Sequence, residues 1–288
     1  MKCLFVVNKT AGKNNKEKMM EEIHKFMEEI HQEYKILTKD LRWENWDALF
    51  YEVDHIISVG GDGTNHYCIN AAMERNIPKF SILPAGSGND FSRTLEASRE
   101  VREQLEKIFS GKSRKIDVGK WNDQYFLNIA SIGFDADVNY ITNREVLKKY
   151  GTFGFIISLM KKALQYEAKT IVFPWKGERK EKEIAVFTLG NGKYYGGGVP
   201  IFHSSSVEDG KLELLIVERK EMRRLPLLIG SLYLKKDHLW KRGFYRDKIE
   251  TFSMEIKNEA IVNLDGESHF YKGPVKVEII KNAIEYKG

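Results

Sequence analysis

The sequence predicts two joined folds, a doubly wound α/β domain followed by an antiparallel all-β domain, facing each other across a cleft. Three observations predict this. As far as Gly111, short apolar runs alternate with amphipathic helical stretches, the pattern of a mainly parallel sheet covered by helices. Beyond Gly111, extended segments follow one another with turns between them, the pattern of an antiparallel sandwich or barrel. The chain has 288 residues, 42% of them hydrophobic, which is longer than one compact domain and enough for two cores. The boundaries read as 1–116 for the first domain and 117–275 for the second, with the last residues, about 276–288, free to return to the first.

Element by element, residues 2–7 form a continuous apolar run and read as a buried parallel strand. Met19, Met20, Ile23, Phe26, Met27 and Ile30 recur at three- and four-residue spacing and predict a helix over 15–31. The alternation continues with strands at 34–37, 55–59 and 79–83 and helices at 45–53 and 65–75. In the second half, strands are expected at 115–119, 125–132, 170–175, 184–189, 212–217, 254–256, 261–264 and 275–280. Helical insertions are expected at 138–165 and 221–241. No internal repeat or long linker interrupts the chain, so the two domains are expected to be fixed to each other.

Composition narrows the function classes. The formal charge of +5 is only mildly basic, and no base-reading module accompanies it, which argues against nucleic acid. Two cysteines, Cys3 and Cys68, lie in apolar segments and fit a reducing cytosol rather than a disulfide framework. The histidines form no Cys/His cluster, so zinc chemistry is not expected. No stretch reaches the roughly 20 apolar residues of a membrane-spanning helix. Any membrane contact is therefore expected to be peripheral, at the inner face of the cytoplasmic membrane.

Chemistry concentrates in two loops. Ser58-Val59-Gly60-Gly61-Asp62-Gly63-Thr64 lies where a strand gives way to a helix, so its glycines allow close backbone approach and its amides can face an anion. Leu83-Pro84-Ala85-Gly86-Ser87-Gly88-Asn89-Asp90-Phe91 repeats the arrangement after the next parallel strand. Either loop alone can be a tight turn with a capping aspartate. Together they place two glycine turns and two aspartates at one sheet edge, the usual ligand crevice of such folds. An aspartate beside phosphate is sensible when a divalent cation lies between them. Asp209-Gly210 and Asp265-Gly266-Glu267 read as hairpin turns, the second distinguished by its extra carboxylate. Gly111-Lys112-Ser113 is a helix stop rather than a P-loop, because Glu106 stands where the first glycine would be.

Read in order, Gly60-Gly61-Asp62-Gly63-Thr64, Pro84 to Phe91, Gly133-Phe134-Asp135-Ala136, Gly190-Asn191-Gly192 with Tyr195-Gly196-Gly197-Gly198, Asp209-Gly210-Lys211-Leu212 and Asp265-Gly266-Glu267 resemble diacylglycerol kinase catalytic domains of the soluble bacterial type. That superfamily also contains sphingosine kinases and NAD kinases. The resemblance implies a C-terminal β-sandwich, an interdomain active site, ATP as phosphate donor and Mg2+. It implies that Asn8, Thr38, Gly60, Gly61, Asp62, Gly63, Thr64, Gly86 and Ser87 surround the nucleotide. It further implies a catalytic magnesium network of Asp62, Asp90 and Asp117, and a structural magnesium held by Asp209 with the backbone carbonyls of Ser206 and Lys211. Glu267 corresponds to the general base, brought to the nucleotide by interdomain closure. The pattern departs from the family at Lys9, where proline is usual, at His66-Tyr67, where Asn-Glu is usual, and at Phe202-His203, where Ala-Pro is common.

The expected activity is phosphorylation of a diacylglycerol-like lipid hydroxyl. The alternatives are an NAD kinase, or a non-catalytic lipid or nucleotide sensor of the same fold. The membrane lipid is the expected partner, and the basic, aromatic stretch 223–246 offers one interface for it. A homodimer stays open.

Overall fold

The computed structural model describes residues 2–8, 16–38, 52–86, 88–134, 136, 166–224 and 244–288. In the first domain, β1 (Cys3–Val7), α1 (Lys16–Glu29), β2 (Tyr34–Leu37), β3 (His55–Gly60), α2 (Asp62–Glu74), β4 (Lys79–Pro84), α3 (Asp90–Thr94) and α4 (Val101–Ser110) build a parallel sheet in the order β4-β3-β1-β2. Side chains of β1 alternate between its faces. Leu4 and Val6 join Cys68, Ile69 and Ala72 of α2, while Cys3, Phe5 and Val7 join Ile23, Phe26 and Met27 of α1 and Leu105 and Ile108 of α4. Both faces are covered, so the sheet is doubly wound.

The second domain contains β5 (Ser113–Trp121), β6 (Gln124–Phe126), β7 (Ile129–Gly133), β8 (Lys169–Trp175), β9 (Glu178–Gly190), β10 (Leu212–Glu218), a short 3-10 helix (Arg219–Arg224), β11 (Phe244–Ile249), β12 (Thr251–Leu264) and β13 (Glu267–Lys287). Its strands pair antiparallel around an aromatic and aliphatic core that includes Trp121, Phe126, Phe173, Phe187 and Phe252. The last strand belongs to both domains. Over its first half β13 pairs with β12, over its second half with β5, and at Glu285 and Tyr286 it runs parallel to β4. A bulge between Ile280 and Ile284, with Asn282 at φ 51°, marks where it changes partners.

Several boundaries differ from expectation. Helix α2 begins at Asp62, so Asp62, Gly63 and Thr64 form its first turn rather than loop. The single strand expected over 125–132 is two, because the amides of Leu127, Asn128 and Ile129 turn to the buried carboxylate of Asp265 at 2.8, 2.8 and 3.0 Å. The strands expected at 254–256 and 261–264 are one strand with a bulge, and the strand expected at 275–280 extends to twenty-one residues. Glu221 to Arg224 form a 3-10 turn, and Phe244, Tyr245 and Arg246 lie in a strand rather than on an interfacial helix. Tyr245 is committed to packing, with its ring 5.2 Å from Phe173 and 5.1 Å from Trp175. The expected helices 138–165 and 225–241, and residues 45–51 of another, lie outside the described residues; Glu52 and Val53, which would have ended the last of these, are not helical.

The C-terminus is tied to the first domain by a buried relay. Ser81 Oγ donates to the Lys287 carbonyl at 2.5 Å, which leaves it to accept from His55 Nε2 at 2.8 Å. His55 Nδ1 is buried without a partner. Burial first, and the charges of Lys287 and Lys79 after it, push the His55 pKa down to about 3. A depressed histidine contributes stability that is present above the unfolded-state pKa and lost as pH falls toward the folded one. Wild-type unfolding free energy should therefore fall below pH 6.5 more steeply than that of His55→Gln, by up to about 1.4 kcal/mol per pH unit. Denaturant unfolding at several pH values checks this, and parallel pH curves for the two proteins would refute it.

Candidate active site

The carboxyl ends of β1, β2, β3 and β4 share one edge of the parallel sheet, the crevice where such folds bind ligands. Asn8, Thr38, Gly60 and Gly86 lie at those four ends. Asn8 Nδ2 donates to Thr64 Oγ1 at 3.3 Å, and a Cβ on Gly60 would lie 2.2 Å from that same oxygen. A Cβ on Gly86 would lie 2.4 Å from Gly61 Cα, so the two glycine loops touch backbone to backbone and Gly86 accepts no side chain, while one on Gly61 would be tight at 3.2 Å from Gly86 Cα. Ser87 lies outside the described residues. A groove of about 330 Å³ opens beside this contact, between Pro84, Gly86 and Asn89 on one side and Lys18, Met19 and Arg99 on the other. Sequence reasoning missed Lys18 and Arg99, which carry no motif and reach the groove from the beginnings of α1 and α4.

The buried aspartates are bound chiefly to backbone amides. Asp62 accepts from the amides of Asp90 and Phe91, both at 3.1 Å, and so caps α3 from another element. Burial pushes its pKa up to about 6, with Asp90 and Asp265 adding to the rise and the two amide bonds opposing it. Asp90 accepts from Gly197 N at 2.8 Å and pairs with Arg93 at 3.1 Å, binding the first domain to the triple-glycine segment of the second. Burial also raises the Asp90 pKa, against the Gly197 amide and Arg93. Asp117 accepts from Gly210 N at 2.7 Å and Asn282 N at 2.8 Å, which holds the β13 bulge. Asp62 and Asp90 thus meet, while Asp117 shares no hydrogen-bond partner with either.

Glu267 is the first residue of β13, immediately after a two-residue turn in which Asp265 and Gly266 have φ 54° and 101°. The turn carries its carboxylate across to the first turn of α2. There Oε2 accepts from Tyr67 Oη at 3.1 Å, and a Cβ on Gly63 would lie only 2.7 Å from Oε1. The Glu267 carboxylate of the second domain therefore stands over Gly63, the residue after Asp62, whose own carboxylate turns to α3.

Among the described residues no three His, Cys, Asp or Glu side chains gather closely enough to hold a metal ion. At the edge formed by the glycine loops, Asp62 fits one nonetheless. Mg2+ is usually held by one or two carboxylates together with substrate phosphates, and a buried carboxyl raised toward neutrality is what a cation would relieve. The Asp209 site does not fit. Lys248 Nζ, from β11, donates to Asp209 Oδ2 and the Ser204 carbonyl, both at 2.9 Å, and lies 3.4 Å from the buried Glu213. Asp209 Oδ1 in addition accepts from the Lys211 amide at 3.1 Å. An ammonium already supplies the charge expected of a structural magnesium.

A parallel sheet with paired glycine loops, faced by a carboxylate from an antiparallel sandwich, is a two-domain fold with an anion-binding edge at the cleft. Comparison with known proteins agrees. The diacylglycerol kinase catalytic domain matches residues 2–121, and the YegS C-terminal NAD kinase beta sandwich-like domain matches residues 128–286. Diacylglycerol kinases of Staphylococcus aureus strains RF122 / ET3-1 and MRSA252 are each 27% identical over 268 residues, covering 91% of this chain and 85% of theirs. A solved Bacillus anthracis str. Sterne protein, provisionally described as a diacylglycerol kinase, is 28% identical with a TM-score of 0.81, covering 99% of this chain and 94% of its own. The chain belongs to the diacylglycerol kinase family and is a lipid kinase.

Removal of the Lys248 charge leaves the half-exposed Asp209 and the buried Glu213 without their cation, so Lys248→Met should cost about 1–3 kcal/mol of stability. The wild-type melting temperature, measured without nucleotide, should be equal in EDTA and in millimolar Mg2+. A wild-type drop in EDTA would show that a metal supplies the charge there.

Proposed function

We propose that this kinase transfers the γ-phosphate of ATP to the hydroxyl of a diacylglycerol-type lipid, with Glu267 as general base. The observation that carries the proposal is the placement of the Glu267 carboxylate over Gly63, next in sequence to Asp62, at the edge where two glycine loops lie in backbone contact. The nucleotide would lie along the carboxyl ends of the parallel strands, with Asn8, Thr38, Gly60–Thr64, Gly86 and Ser87 around it. Lys18 and Arg99 add positive charge on the groove's far side.

In the transfer step the acceptor hydroxyl loses its proton to Glu267 as its oxygen bonds to the γ-phosphorus. The bond to the β,γ-bridging oxygen breaks and ADP leaves. Holding hydroxyl and phosphate in line supplies most of what such a reaction requires. Asp62, with phosphate oxygens, would hold a magnesium ion that neutralises charge on the transferring group. Asp90 then serves mainly to fix α3 against the second domain, and Asp117 to fix β13.

The lipid reaches the cleft from a bilayer by peripheral contact, and among the described residues no helix is long and apolar enough to cross a membrane. The names of the curated relatives favour diacylglycerol as acceptor. Incubation of purified protein with labelled ATP and dioleoylglycerol in anionic vesicles, beside a parallel reaction on NAD, tests the reading. Label should enter the lipid alone. Label in NAD, or none in lipid, would overturn it.

Gly63→Ala offers a second test. Alanine in a helix is favoured over glycine by up to about 1 kcal/mol, and the new methyl would displace only the flexible end of Glu267. Stability should hold or rise while turnover falls at least about tenfold, since small misplacements of reacting groups are costly. Unchanged turnover in steady-state assays would count against Glu267 acting over Gly63.

A further inference from the structure

In the second turn of α2, just after the glycine loop, the chain carries His66-Tyr67. Both side chains reach the turn that carries the base. His66 Nδ1 lies 3.4 Å from Asp265 Oδ2, and Tyr67 Oη donates to Glu267 Oε2 at 3.1 Å. The Tyr67 ring is itself fixed: it packs against the core of the first domain and stands edge-on to His66 at 5.8 Å. Its hydroxyl is therefore placed by α2, not by the hairpin it contacts.

We propose that Tyr67 is a positioning residue for the transfer step, holding the Glu267 carboxylate in the one orientation that turns Oε1 toward the acceptor hydroxyl. The inference rests on the reading of Glu267 as base. Its basis is the unequal treatment of the two oxygens. Oε2 is occupied by a hydrogen bond from a rigid phenol, while Oε1 stands over Gly63, beside the nucleotide loop. Gly63 and Tyr67 are four residues apart on one helix and share a face, so a single helix both clears space for one oxygen and binds the other. A glutamate side chain has several accessible rotamers, and without the phenol only some of them would present Oε1 to the hydroxyl. The base's orientation is thereby set by the domain that binds the nucleotide.

Tyr67→Phe keeps the ring and its packing and removes only the hydroxyl. In assays with labelled ATP and dioleoylglycerol–detergent micelles, kcat should fall about tenfold or more, by analogy with other losses of positioning. The KM for ATP should stay within about twofold and the melting temperature should be nearly unchanged, because the ring and its packing are kept. Combined with Glu267→Gln, the same change should add almost nothing, since no base remains to be oriented. Wild-type turnover in Tyr67→Phe beside an inactive Glu267→Gln would overturn the positioning role and leave the base assignment standing. Equal losses from Tyr67→Phe with and without Glu267 would also overturn it, by showing that the phenol acts elsewhere. Wild-type turnover in Glu267→Gln would remove the base reading, and the positioning role with it.

Discussion

One strand holds the molecule's two halves in register. β13 starts at the cleft with Glu267, passes through the sandwich, bends at the bulge held by Asp117 and ends beside β4 in the parallel sheet. Its ladder hydrogen bonds leave little freedom along its length, since slipping by one residue would turn every side chain to the opposite face. The separation between the proposed base and the nucleotide edge is thereby fixed by backbone pairing at both ends of one element. Closure of two loosely tethered lobes is not needed to bring Glu267 to Gly63, because the carboxylate already stands there.

Buried aspartates complete that registration. A carboxylate removed from water is costly unless its oxygens are satisfied, and backbone amides satisfy them without introducing another mobile side chain. Asp265 binds three successive amides between β6 and β7, Asp117 binds amides from two distant segments, and Asp90 reaches the triple-glycine segment. Each such bond to a charged group contributes on the order of 1.5–3 kcal/mol. Each also joins stretches far apart in the chain, which makes these carboxylates fasteners of the tertiary structure whatever else they do.

That dual use explains what the sequence could and could not convey. Apolar periodicity located the parallel strands and α1, because burial on a sheet face and a helix face leaves different spacings. The glycine loops were legible as strand-to-helix turns, and the chain order of the motifs carried the family. The split between β6 and β7 was not legible, because its cause is Asp265, more than a hundred residues away. Asp117 and Asp209 were assigned to magnesium by the resemblance alone, because no spacing in the sequence shows which groups lie beside them. Only the fold shows that Asp117 meets the Asn282 amide and that Asp209 meets Lys248. Tyr67 was visible as a departure from the usual pattern, but its partner could be identified only once the hairpin was folded over α2.

Asp62 is where the fastening and the chemistry coincide. Each of its oxygens accepts one amide and retains a further lone pair, so capping α3 does not exhaust it. Because burial holds its pKa near 6, its ionisation responds to whatever charge arrives at the glycine loops. An ionised Asp62 caps the amides of Asp90 and Phe91 more strongly than a neutral one. Asp90 in turn holds the Gly197 amide of the second domain. Charge at the edge formed by the glycine loops is thus coupled, through two adjacent carboxylates and three amides, to the triple-glycine segment of the second domain.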